Sequence, residues 1–240
     1  FRSRLLLKGK ERKAFEAVLR AAVETGLVSQ EKLTQILDST YVLGAGAVQD
    51  TFTLIGLTLR KLMKQVGARF DIVSRLPRPL SYNYKQVNKK PKINWDSPEE
   101  RSELLDNLVK DAQMVLGVIA NANLTKEEAE LKNTLETVIA QDTVVSEQGK
   151  VELVKGVAKD RLVSSTDPEM RHGRKSSSKR FDGYKAHTAI DEASEFITNV
   201  IVTPGNVHDS EAVVKLIDNQ PALISTEAII GDSAYGTGKV

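Results

Sequence analysis

The sequence predicts an α/β protein, and three observations carry this. Two β-favouring apolar runs, Ile36–Leu43 and Ala228–Gly231, the second reading as a buried strand, each present an aspartate, Asp38 within the first and Asp232 at the end of the second. Several stretches repeat apolar residues at helical spacing behind recognisable caps. A run of alternating apolar and polar residues, Tyr184–Ile190, turns at Asp191–Ser194 and returns as Phe196–Val202, the pattern of a β-hairpin.

Taken in order, the first helix spans about Lys10 to Thr25. Phe15, Val18, Leu19 and Ala22 form its apolar stripe, and Gly26 is placed to stop it. It reads as a packing helix with a basic solvated face. A strand follows at Leu33–Leu43, holding Asp38, with Gly44 to Gly46 as the turn. Asp38 alone also fits a strand-end aspartate bonding its own backbone. Asp50 caps a helix to about Val66 with Phe52, Ile55, Leu59 and Leu62 on one face.

Residues 67–97 form a connector, since Pro77, Pro79 and Pro91 forbid a continuous helix. Tyr82, Tyr84 and Lys85, Lys89, Lys90 and Lys92 suit either nucleic-acid stacking or a solvated linker. Ser97-Pro-Glu-Glu100 and Thr125-Lys-Glu-Glu128 start two helices, with stripes of Leu104, Leu108, Ala112, Val115 and Ile119, then Leu131, Leu135, Val138 and Ile139. Asn121-Ala-Asn123 makes them a helical hairpin. Residues 141–157 read as a strand-poor connector, and Arg161–Ser165 as a short strand broken at Asp167-Pro168.

From Arg171 to Lys185 the cations Arg171, Arg174, Lys175, Lys179, Arg180 and Lys185 face one acid, Asp182. In a chain of net charge +2 this local excess points to phosphate contacts, with serines and glycines adding backbone donors. Asp209 is expected to cap a helix over about Ser210 to Asp218. His187 and His208 have no metal-ligand spacing.

The bulk composition is ordinary for a globular chain of 240 residues: 40% hydrophobic and 28% charged. Cysteine is absent, which excludes disulfides, thiol nucleophiles and thiolate metal sites. No apolar run approaches membrane-spanning length, so no membrane role is expected and the chain is read as cytoplasmic. Phe1 at the start and the end just beyond Tyr235 read as truncation at both ends.

The order of these pieces is specific. An Asp-Ser-Thr strand precedes a helical insert. Then come Asp167-Pro-Glu-Met-Arg-His-Gly-Arg-Lys175, Phe181-Asp-Gly-Tyr-Lys-Ala-His187, a hairpin, Val202-Thr-Pro-Gly-Asn-Val-His-Asp209, a helix and Gly231-Asp-Ser-Ala-Tyr-Gly236. The chain resembles bacterial insertion-sequence transposases of the DDE type, most strongly over residues 161–236.

The resemblance implies an RNase H-like mixed β-sheet flanked by helices, with an inserted helical hairpin. Residues 1–45 would begin the catalytic core, 46–157 would be a mostly helical insertion, and 158–240 would complete the core. It makes Asp38 and Asp232 the first two catalytic, metal-holding acids, with Asp167 and Asp191 as alternatives for the first position. Two Mg²⁺ or Mn²⁺ ions about 3.5–4 Å apart would serve cleavage and strand transfer. The partners implied are insertion-sequence ends and target DNA, held by a nucleoid-associated homo-oligomer. The family's third acid, a glutamate on a later helix, has no counterpart before Val240. Little or no strand transfer is therefore expected from this chain. A DNA-binding remnant, or a nuclease without strand transfer, are the competing readings.

Overall fold

The computed structural model describes residues 10–67, 69–84, 91–176, 178–233 and 235. The fold is mixed α/β, with six helices among the described residues. The chain divides into two compact units, one made of residues 1–43 and 173–240, the other of 44–172.

In the first unit, α1 (Glu11–Glu24) leads to β1 (Leu33–Leu43). Gly26 ends α1 with φ +76°, a conformation that a residue without Cβ adopts cheaply. Leu19 and Ala22 are buried as their spacing predicts, but Val18 is 59% exposed, because the buried stripe runs instead through Leu19, Ala22 and Val23. Later come β4 (Arg171–Arg174), β5 (Arg180–Asp191), β6 (Ile197–Pro204), α6 (Asp209–Asp218) and β7 (Thr226–Ile230).

The sheet is mixed. β5 pairs antiparallel with β1 and with β6, β4 also pairs with β5, and β7 runs parallel to β1 at the end of the sheet. The predicted hairpin is therefore β5–β6, with Thr188 opposite Val200. Along β1, Leu33, Gln35 and Leu37 are buried while Ile36, Asp38 and Thr40 are exposed. That alternation sorts the two faces of the strand. On the buried face, Leu37 and Ala189 pack with Val213 and Leu216 of α6 and with Tyr235. Leu33 packs with Leu19, Ala22 and Val23 of α1.

Two expectations in this unit are corrected. The Ile229-Ile230 run is a strand but not a buried one: the two side chains are 42% and 48% exposed, since β7 is the last strand of the sheet. And His208, not Asp209, caps α6, its ring nitrogen Nδ1 accepting the Ser210 N–H (3.3 Å). Asp209 becomes the first helical residue and its carboxylate is released for other partners.

The second unit holds α2 (Thr51–Val66), α3 (Ile72–Arg75), α4 (Pro98–Val118), α5 (Lys126–Asp142) and a hairpin of β2 (Thr143–Val145) and β3 (Val151–Leu153). Leu54, Ile55, Leu59 and Leu62 of α2, the α4 stripe, and Leu135 and Val138 of α5 form one buried cluster. The helix starts are those the sequence signals. Asp50 accepts the Thr53 N–H (2.9 Å), Ser97 Oγ the Glu100 N–H (3.2 Å), and Thr125 and Glu128 cap each other reciprocally.

Residues 141–157, read from sequence as strand-poor, contain the β2–β3 hairpin. Its strands are three residues each, too short for a period-2 signal. Residues 161–165, read as a strand, join no ladder. Their backbone groups are met instead by Gln141 at Leu162 and by Gln49 at Val163 and Ser165. In the connector, Tyr84 is core rather than a stacking platform. It is 5% exposed and its hydroxyl donates to buried Asp111 (3.0 Å). Lys85, Lys89 and Lys90 lie outside the described residues.

Candidate functional site

The site is built by the parallel pairing of β1 and β7. Ile36 is level with Ile230. Asp38 lies two residues beyond Ile36 within β1, and Asp232 two residues beyond Ile230, just past the end of β7, so both follow directly on the parallel pairing. Both are exposed. The C-terminal end of parallel strands is the common place for a ligand in open α/β sheets.

Tyr235 marks the same neighbourhood. It is 8% exposed, and its ring lies against Gly231, where a Cβ would come within 3.1 Å of it. Burial pushes its phenol up to about 12. Ser39 beside it opposes the rise, and the carboxylates of Asp209, Asp38 and Asp232 add to it. Three carboxylates thus act on this one phenol.

Asp38 Oδ1 accepts the N–H of Ser39 (2.8 Å), and the Asp38 carbonyl accepts Thr188 Oγ1 (3.3 Å) from β5. The local backbone bond that sequence reasoning treats as the alternative to a functional role is thus present, but it engages only one carboxylate oxygen. Two exposed carboxylates offer the hard oxygen donors that a divalent ion such as Mg²⁺ takes, completed by water and substrate phosphate. Among the described residues no group of three or more His, Asp or Glu converges as a metal-binding set. In donor chemistry the Asp38–Asp232 pair fits such an ion.

The two rival aspartates sit elsewhere. Asp191 is buried at the β5–β6 turn, opposite Gln35 and accepting the Ser194 N–H (3.1 Å), three positions along from Asp38. Asp167 belongs to the second unit, where it accepts the Ala45 N–H (3.3 Å).

Beneath the site, on the buried face, lies a polar group that sequence reasoning does not assemble. Ser39 Oγ donates to Asp209 Oδ2 (3.1 Å), and Lys185 Nζ donates to Asp209 Oδ1 (2.7 Å) and to the Val207 carbonyl (3.0 Å). His187, level with Ser39, is fully buried, its Nε2 within 2.9 Å of Thr203 Oγ1. Its Nδ1 has no hydrogen-bond partner among the described residues. The alternation of Tyr184–Ile190 does signal that Lys185 and His187 share a face. Nothing local signals Asp209.

His187 gives a pH prediction. Burial lowers its pKa below the ordinary 6.5, with Lys185 acting in the same sense and Asp209 against it. The folded state therefore favours the neutral ring. Stability is complete above the unfolded value and falls as pH drops from there through the folded one. Urea midpoints measured from pH 7.5 to 5 should decline in the wild type and decline less in His187→Gln.

The basic segment is divided in its contacts. Arg174, Lys175, Lys179 and Arg180 are exposed. The ammonium groups of Lys175 and Lys179 lie 5.5 and 5.3 Å from the Tyr41 ring centre, and that ring packs on Phe181 at 5.3 Å. Tyr41 shares the face of Ser39, so these two cations stand on the side of β1 opposite to Asp38. Arg171 is tied down locally. It pairs with Asp160 (2.8 Å) and donates to the Pro168 and Met170 carbonyls. Lys185 is half-buried in its pair with Asp209. Gly173 lets β4 approach closely, since a Cβ there would overlap the Phe181 ring and the Gly205 carbonyl.

No helix among the described residues is long and apolar enough to cross a membrane. No curated protein and no solved structure matches the chain. Residues 155–240 match the family model of the transposase DDE domain, a stretch that includes Asp232, the basic segment and the β5–β6–α6–β7 elements, and the match supports a DDE-type transposase.

Proposed function

We propose that this chain carries the metal-binding strand ends of a DDE transposase with an RNase H-like core, acting in cleavage and strand transfer of an insertion sequence. The observation that carries the reading is that Asp38 and Asp232 follow directly on the parallel pairing of β1 with β7 and that both carboxylates act on Tyr235. The family match over residues 155–240 is the second support. Residues 1–45 and 158–240 are assigned to the catalytic core, and 46–157 to a mostly helical insertion.

Asp38 and Asp232 would hold Mg²⁺ or Mn²⁺, which when bound activates the attacking oxygen and stabilises the leaving one at a DNA phosphate. Asp38 would present the oxygen not engaged with Ser39. Arg174, Lys175, Lys179 and Arg180 would grip the phosphate backbone away from the reacting phosphate, since two of them lie across β1 from Asp38. Arg171 and Lys185 already have local partners, so their share in DNA binding would be smaller. DNA ends and target DNA are the partners proposed, with a homo-oligomer as the active form and the nucleoid as its place.

The test begins with binding. Replacing Arg174, Lys175, Lys179 and Arg180 together by Gln should weaken binding to a DNA duplex at least tenfold. The slope of log K against log salt should flatten by roughly 0.9 for each phosphate that the chain no longer neutralises. An unchanged slope would remove the segment from the DNA interface. Product analysis with Mn²⁺ then separates two of the activities: joined products indicate a transposase and nicked products alone a nuclease.

A further inference from the structure

We infer that the Ser39–Asp209–Lys185 chain is a positioning device that sets the direction of the Asp38 carboxylate. The inference rests on the reading of Asp38 as a metal ligand. Ser39 is the hinge of the arrangement. Its N–H holds Asp38 Oδ1 at 2.8 Å, while its side chain, pointing to the other face of β1, is anchored to Asp209 at 3.1 Å. Asp209 is anchored in turn by the Lys185 ammonium at 2.7 Å, and Lys185 by the Val207 carbonyl at 3.0 Å.

The two Asp209 links are part-buried, whereas the Ser39 N–H bond to Asp38 is exposed. The Lys185 and Asp209 side chains are both 15% exposed. Against the cost of burial, the hydrogen bond and charge of Lys185 hold the Asp209 carboxyl below its ordinary range, with Ser39 and His187 adding to the effect. Asp209 thus stays an acceptor for Ser39. On an exposed strand an aspartate samples several rotamers. A Ser39 backbone fixed from the opposite face restricts that choice, so one Asp38 oxygen is turned outward before an ion arrives. Outer-shell bonds of this kind, when removed, cost roughly 10–100-fold in metal affinity.

A merely structural role, tying α6 to the sheet, predicts a loss of stability and nothing else. The test therefore reads metal binding directly, by Mn²⁺-induced broadening of NMR resonances near Asp38 in the 240-residue chain, alongside urea midpoints. Ser39→Ala removes the bond to Asp209 and leaves the Lys185 pair intact. It should raise the Mn²⁺ midpoint about tenfold. Ser39→Thr, which keeps the hydroxyl, should restore it to within about twofold, the behaviour of an outer-shell bond. Lys185→Met is the second variant, expected to shift the midpoint the same way without touching Ser39.

If both Ser39→Ala and Lys185→Met bind Mn²⁺ as the wild type does, the positioning role is wrong. It is equally wrong if Ser39→Thr behaves like Ser39→Ala. Asp38→Asn and Asp232→Asn separate this from failure of the site itself. If they abolish binding, the carboxylate pair stands and only the positioning role has failed. If they change nothing, or the wild type shows no broadening, the metal reading fails and the inference falls with it.

Discussion

Asn in place of Asp38 or Asp232 is expected to weaken Mn²⁺ binding by at least about 100-fold, near 2.8 kcal/mol. The effect is large because the amide keeps the shape of the side chain but removes the charge that a hard dication requires. The fold should not suffer. Both side chains are exposed, and two carboxylates even as near as about 5 Å repel by something under 1 kcal/mol in water-like dielectric. Each Asn variant should therefore be as stable as the wild type, or slightly more so, without metal. Added Mn²⁺ should raise the urea midpoint of the wild type by mass action and leave the variants unmoved. Equal metal stabilisation of wild type and variants would exclude these strand ends as the metal site.

The second large effect lies in the other unit and has nothing to do with chemistry on DNA. Asp142, at the end of α5, is almost fully buried and takes two bonds from Arg161, at 2.9 and 2.7 Å, and one from Thr51 Oγ1 at 2.8 Å. Arg161→Met leaves that carboxylate buried without its counter-charge, which costs about 3–5 kcal/mol. The double variant Asp142→Leu with Arg161→Met removes both charges and should recover a large part of the loss. Urea unfolding checks both, with the midpoint moving and the slope unchanged. A single variant within about 1 kcal/mol of the wild type, far below the cost of an unpaired buried charge, would show that the pair is not a structural anchor.

Local pattern is sufficient wherever one physical rule acts over a few residues. Ser97, Thr125 and Asp50 cap their helices because a side-chain oxygen three residues before an unpaired N–H has few better uses. The β5–β6 hairpin follows from alternation and a turn, and α2 from its buried stripe. Asp38 and Asp232 stand out because a carboxylate beside a β-favouring apolar run is unusual.

Tertiary structure alone decides which groups meet. No spacing rule sets Ile230 opposite Ile36, and so brings Asp232 near β1, because parallel register depends on how β7 docks after α6. Nor does charge counting separate Arg171 and Lys185, each ion-paired at home, from Arg174, Lys175, Lys179 and Arg180, which are exposed. Asp209 reads as a cap in the sequence because Asp is a favoured N-cap residue, yet His208 one position earlier takes that place. Only the packing of α6 on the sheet brings Asp209 within reach of Ser39 and Lys185. Helix and strand formation are short-range events, whereas a site made from strand ends and a helix start depends on contacts between residues 38, 185, 209 and 232, and long-range packing alone supplies those.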